Sequence, residues 1–155
     1  KYLNALHQAQ LTFKLYGFQF GPAKRFIKAA KTYFADNGII HSLNTGTGAG
    51  QLIENFVLAE FEKRRKLGLI KTDQFYYYQS AGGNEIDLVF EVDNTVYAVE
   101  IKSTRKPSPR DLLNLRRFSD RLNRPVRRYL IYLGEEYRTI DNIELLPIGA
   151  IYKGR

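Results

Sequence analysis

Three β-forming runs follow one another so closely in the middle of this chain that they have little choice but to pair. They are 74–79, 85–92 and 95–102. Ala81-Gly82-Gly83-Asn84 separates the first two, and only Asp93-Asn94 separates the last two, a two-residue hairpin signal. Ile86, Leu88, Val89 and Phe90, and the equally apolar run 96–101, leave no polar side to their strands. Such strands are covered on both faces, so the meander belongs at the centre of a sheet flanked by helices. Into this apolar setting the sequence inserts Asp87, then Glu100 and Lys102. Charges in central strands need a reason.

The flanking elements fit that frame. Leu52, Ile53, Phe56, Val57 and Phe61 recur at helical spacing over 51–66, with Lys63-Arg64-Arg65-Lys66 in the last turn and Gly68 beyond it. Pro107-Ser108-Pro109 opens a second helix that should run to Asn123 and stop before Pro125. Strands are expected over 128–133 and 143–148. The fold class is therefore α/β with a mixed central sheet. The N-terminal part reads differently: a short helix at 2–8, an extended stretch over 11–20 broken by Gly21-Pro22, a strand at 31–35 and an apolar helical turn at 39–43. This resembles the end of a winged-helix unit, so 1–37 is set apart as a remnant or linker and 38–155 as the main domain. The glycine-rich stretch 45–50 lacks the Gly-Lys-Ser/Thr ending of a phosphate loop and reads as a loop feeding a helix.

The charged residues suggest a chemistry. Glu100 and Lys102 are two apart and share a strand face. Asp87 and Glu100 repel each other if close and ionised, and a hard divalent cation, Mg²⁺ or Mn²⁺, removes that cost. Glu54 shares a helix face with Val57, Leu58 and Phe61, where a carboxylate is costly unless paired or bound to a cation. Asp87, Glu100 and Glu54 are thus the candidate metal ligands. With Lys102, which can orient water or neutralise phosphate charge, they form the candidate catalytic set for phosphodiester hydrolysis. The plainer alternatives are a solvated Glu54 at the edge of its stripe and a simple ion pair between Glu100 and Lys102. Glu85 and Glu91 share alternation with Asp87 but read as solvated.

Net charge is +8, and between Glu100 and Arg138 eleven Lys and Arg stand against five acids. Positive charge so concentrated suits nucleic acid, or equally a solvated helix face. Arg110, Arg117, Arg121 and Arg124 fall on one face of the expected second helix and are the candidate nucleic-acid contacts. Tyr76-Tyr77-Tyr78 offers rings that stack on bases or fill a core. The chain has no Cys and two His, which removes disulfides and thiolate or His-rich zinc sites. No apolar run approaches the ~20 residues of a membrane helix, so no membrane partner is expected and the setting is taken as cytoplasmic. Met is absent even at position 1, and the chain reads as part of a longer or processed product.

The order of Glu on a helix, Asp on a strand and Glu-x-Lys on the next resembles the PD-(D/E)XK, or restriction-endonuclease-like, superfamily. Lys31-Thr-Tyr-Phe-Ala-Asp-Asn-Gly38, Gly50-Gln-Leu-Ile-Glu-Asn-Phe-Val57, Gly83-Asn-Glu-Ile-Asp-Leu-Val89 and Val99-Glu-Ile-Lys-Ser103 are similar to successive blocks of the uncharacterised C-terminal domain of prokaryotic AAA-type ATPases, as are Tyr132-Leu-Gly-Glu135 and Leu146-Pro147. The resemblance covers 24–150. It implies a nuclease-like core with Glu54, Asp87, Glu100 and Lys102 at a metal site, DNA as partner, an upstream ATPase domain and room for oligomers. Gln79 stands where relatives often carry Arg. The alternative function is a non-catalytic nucleic-acid-binding or regulatory module on the same fold.

Overall fold

The computed structural model describes residues 2–20, 29–43 and 46–153; Gly21-Pro22 and Thr45 lie outside the described residues. The chain runs α1 (Tyr2–Gln8), β1 (Thr12–Gly17), β2 (Lys31–Phe34), α2 (Asn37–Ser42), α3 (Ala49–Lys66), β3 (Tyr76–Gln79), β4 (Glu85–Val92) and β5 (Thr95–Lys102). A 3-10 turn (Pro109–Leu112) then leads into α4 (Leu113–Ser119), β6 (Val126–Tyr132), β7 (Arg138–Ile140), β8 (Ile143–Pro147) and α5 (Ala150–Lys153).

The tight turn between β4 and β5 forms as expected. Asp93 and Asn94 both take positive φ, 47° and 62°, the left-handed pair of a type I′ hairpin whose twist matches its strands. Asp141 and Asn142 repeat the device at 50° and 58°, joining β7 to β8. The eight strands form a mixed sheet in the order β2-β1-β3-β4-β5-β6-β8-β7. β1–β3, β5–β6 and β6–β8 pair parallel and the other neighbours antiparallel.

Helices cover both faces. Val57 and Leu58 of α3 pack with Leu88, Val99 and Ile101 in one buried cluster. Leu112, Leu115 and Phe118 pack with Val89, Ala98 and Leu130 in the other. The described strands within 1–37 join the same sheet: β1 lies parallel beside β3, and β2 pairs with β1 at the sheet edge.

The second helix is shorter than its sequence pattern suggests. Its start is fixed by Asp111, whose Oδ2 accepts from both the N–H and the hydroxyl of Ser108 at 2.7 Å. Its end comes at Ser119, whose hydroxyl donates back to the Arg116 carbonyl at 2.8 Å. The N–H groups of Arg121 and Leu122 then reach carbonyls only three residues back, tightening the chain into turns. Pro125 further disfavours helical backbone at Arg124. Arg121 and Arg124 therefore lie beyond the helix, and the four arginines do not form one helical row.

A buried side chain docks β2 onto α3. Asn55 is 4% exposed. Its Oδ1 accepts the Phe34 N–H at 2.9 Å, and its Nδ2 donates to the Phe34 carbonyl at 3.0 Å and to Asn37 Oδ1 at 2.9 Å. The amide thus acts as the neighbour strand that the sheet edge lacks. Asn55→Ala leaves the Phe34 groups without these partners and should cost about 2 kcal/mol. Urea denaturation measures the loss, and hydrogen exchange should show faster opening of the Phe34 amide. An unchanged midpoint with unchanged exchange would show that β2 is held by its pairing with β1 alone.

Candidate functional site

An irregularity in β4 shapes the site. Tyr76 stands opposite Val89 and Tyr78 opposite Ile86, so two steps on β3 face three on β4. The extra residue lies in the Asp87–Leu88 step, a β-bulge. Its effect on side-chain direction is visible in the packing. Ile86 and Leu88, which plain alternation would place on one face, join opposite clusters. The shared alternation of Glu85, Asp87 and Glu91 expected from sequence is therefore broken at Asp87.

Freed from the pleat, Asp87 reaches across to β5, and its Oδ2 accepts the Ile101 N–H at 2.8 Å. Glu100 is 3% exposed. Its Oε1 accepts from Lys102 Nζ at 2.7 Å, and its Oε2 is buried with no hydrogen-bond partner among the described residues. Glu54 approaches from α3, close enough for its charge to act on Asp87, with Oε1 accepting from the Tyr33 hydroxyl at 2.7 Å. Lys31 on β2 pairs with Glu85 and also feels the charges of Glu54 and Asp87. Two edge-strand residues thus join a cluster whose sequence candidates were Glu54, Asp87, Glu100 and Lys102. Glu85, read as solvated, belongs to it as well.

The protonation behaviour follows from burial and crowding. Burial, then the Glu54 charge, raises the Asp87 carboxyl above its ordinary range, against the Ile101 N–H, Lys102 and Lys31. Burial, then the Asp87 charge, raises Glu100, against Lys102. Desolvation works against the Lys102 charge, but Glu100 outweighs it and the ammonium is held more firmly than usual. Burial, then the Glu54 hydrogen bond, raises the Tyr33 phenol and keeps it a donor.

Among the described residues no three His, Asp or Glu side chains stand together as a ready ligand set for a metal ion. Each carboxylate already has a protein partner. The donor chemistry nevertheless suits a hard cation: all candidate ligands are carboxylate oxygens, and the orphaned Glu100 Oε2 has an unmet demand for positive charge.

The expected nucleic-acid contacts divide. Arg110 and Arg117 are exposed. Arg121 donates to the Tyr78 hydroxyl at 2.8 Å, and Arg124 grips Glu91 through both terminal nitrogens. Tyr77 and Tyr78 are buried at 3% and 4%, so core packing claims two of the three tyrosines as rings for bases. Lys31 and Tyr33 carried no signal by spacing. Their alternation over 31–33 could have placed them on one strand face, but not which face met α3.

The model of a protein family described as Domain of unknown function (DUF4143) matches residues 49–151, and the chain belongs to that family. Two relatives, Uncharacterized protein Mb2031c of Mycobacterium bovis and Uncharacterized protein Rv2008c of Mycobacterium tuberculosis, are each 28% identical over 117 residues. The match takes in 70% of this chain but 25% of theirs, so the chain spans a quarter of the length of these relatives. A solved half-complex from a tetradecameric assembly of Thermococcus gammatolerans McrB AAA+ hexamers with bound McrC overlaps 66% of this chain and 28% of its own, at 15% identity and a TM-score of 0.47.

The raised carboxyls make stability depend on pH. Above the ordinary carboxylate range of about 4 the unfolded chain has released these protons while the folded chain still holds them. Stability should therefore fall as pH rises, until both carboxyls have ionised in the folded state too. Below that range both states are protonated and these groups contribute no slope. Asp87→Asn with Glu100→Gln should flatten the fall, and the double variant should out-last the parent in urea at alkaline pH without added metal. A parent whose midpoint rises from about pH 5 to about pH 9 would contradict the assignment.

Proposed function

We propose that this chain is a nuclease-like domain of restriction-endonuclease-like kind, which hydrolyses phosphodiester bonds in DNA with the help of Mg²⁺ or Mn²⁺. The observation that carries this reading is Glu100: a carboxylate 3% exposed, one oxygen on Lys102, the other without a partner among the described residues, beside the half-buried carboxylate of Asp87. Proteins rarely bury such a pair without a use for it.

Asp87 and Glu100 would hold the cation, with Glu54 completing the set directly or through a water. When bound, the cation would supply positive charge to the phosphate and make a water more acidic. The chain's own residues do the remainder. Lys102, kept charged by Glu100, can hold a proton-bearing water or neutralise a phosphate oxygen. Tyr33 keeps Glu54 turned toward the cluster, and the Ile101 N–H fixes Asp87. The upstream ATPase setting rests on the sequence resemblance, and the greater length of the curated relatives leaves room for it.

A second reading has its own support. The absence, among the described residues, of three ready ligand carboxylates favours a module that binds nucleic acid or regulates its ATPase without cleaving. Calorimetric titration with Mn²⁺, then incubation with plasmid and single-stranded DNA, separates the two. On the first reading the parent binds Mn²⁺ and nicks DNA. Asp87→Ala then abolishes both while the protein stays folded, and Lys102→Ala keeps Mn²⁺ binding but loses at least ten-fold in rate. Mn²⁺ binding without cleavage, or no binding, moves the protein to the second.

A further inference from the structure

The strand that carries Glu100 and Lys102, β5, ends beside a cleft that the sequence candidates did not include. Lys102 closes β5, Tyr132 stands opposite it on β6, and Pro147 stands opposite Tyr132 on β8. These three strands are parallel, so their carboxyl ends coincide, the place where open α/β sheets take ligands. The segments leaving β5 and β6 are tied at their base by Leu133 N–H to the Thr104 carbonyl at 2.9 Å. Above that tie they part around a cleft of about 400 Å³ lined by Arg105, Lys106, Tyr132, Glu135, Glu136 and Arg138.

One wall of the cleft is built on purpose. The Tyr132 ring lies so close over Gly134 that a Cβ there would fall 2.1 Å from a ring carbon. The same ring's hydroxyl donates to the Glu136 carbonyl at 2.5 Å. The chain after β6 is thus folded back over that strand's last tyrosine, and Glu135, Glu136 and Arg138 line the same cleft as Arg105 and Lys106.

The cations of this cleft are uncommitted. Arg105 and Lys106 are exposed, and neither side chain has an ion pair among the described residues. Arg138 stands 4.0 Å from Glu136 with both side chains exposed, a contact worth little in water. Several other guanidinium groups of this basic half are engaged within the protein: Arg116 on Asp141, Arg121 on Tyr78, Arg124 on Glu91 and Arg128 on Ser119 and the Asp141 carbonyl, while Arg110 and Arg117 are exposed like the cations of the cleft.

We infer that this cleft is a subsite for the DNA backbone, in which Arg105, Lys106 and Arg138 hold phosphates flanking the one that faces Lys102. The inference rests on the proposed action on DNA and gives it a direction: the strand leaves the carboxylate cluster over the ends of β5 and β6, not along α4. Glu135 and Glu136 face the same cleft and work against phosphate, so they moderate the affinity.

The test is binding, measured by fluorescence anisotropy of a labelled DNA duplex and a labelled single strand. It uses the Asp87→Asn protein without divalent cation, so cleavage plays no part. Arg105→Ala with Lys106→Ala should weaken binding at least ten-fold and lower the slope of log affinity against log salt by roughly 1.4 to 1.8, about 0.7 to 0.9 for each lost phosphate contact. Arg110→Ala with Arg117→Ala should change both less. Glu135→Gln with Glu136→Gln should tighten binding. All four positions in the cleft variants are exposed, and equal thermal midpoints confirm that folding is untouched. If Asp87→Asn binds DNA but the cleft variant binds equally well with the same salt slope, the subsite is wrong while the action on DNA stands. If Asp87→Asn binds neither DNA, both fall.

Discussion

A carboxylate stands in for a backbone carbonyl at the centre of this sheet. Where the β4 bulge carries the main chain out of register, Asp87 Oδ2 supplies the acceptor that the Ile101 N–H of β5 needs. A buried donor left unpaired there would cost roughly 1–3 kcal/mol, so the bulge and the aspartate require each other. The same bond places Asp87 one step from Glu100, so sheet continuity and the crowding of the site have a single origin. Residues on α3 and β2 complete the cluster: Glu54 is held there by the Tyr33 hydroxyl against the repulsion of Asp87, and Lys31 pairs with Glu85.

This dependence explains what could be read from the sequence and what could not. The β4–β5 hairpin was legible because Asp93-Asn94 is a local signal and the apolar runs around it are continuous. Asp87, Glu100 and Lys102 were legible because charge within such runs is anomalous. The bulge was not, since nothing in the residues 85–92 marks where one extra residue is absorbed. Asn55 was hidden for another reason. On a helical wheel it is one more polar residue, and its role appears only with Phe34, 21 residues away. Strand β7 was missed although Asp141-Asn142 repeats the turn chemistry of Asp93-Asn94, a signal that was there to be used.

Charge alone misleads in the same way. A net charge of +8, of which +6 lies between Glu100 and Arg138, suggests a binding face, yet several of those arginines act as struts. Arg124 ties the turn after α4 to β4 through Glu91, and Arg116 ties α4 to the β7–β8 turn through Asp141. Distinguishing a strut from a contact takes the partner list, not the composition. By that measure the basic character of this half is partly architectural, and what remains free is concentrated on the exposed α4 positions and in the cleft beyond β5.

The carboxylate cluster has the opposite sign to the molecule that holds it. Glu54, Glu85, Asp87 and Glu100 face Lys31 and Lys102, four acids against two cations. Two unmatched negative charges in a half-buried place can be settled in only a few ways. Protons can be taken up, which is the direction in which Asp87 and Glu100 are driven. A divalent cation of charge +2 would settle the same deficit and meet the unpartnered Glu100 Oε2 as well. The two solutions compete, because a carboxyl that keeps its proton is a poor ligand. On the proposed reading, metal affinity and proton affinity at this site would therefore be linked through Asp87 and Glu100. The two lysines bear on that balance: Lys102 and Lys31 lower the proton's hold on Asp87, and Lys102 lowers it on Glu100, while its ammonium bonds Oε1 and not Oε2.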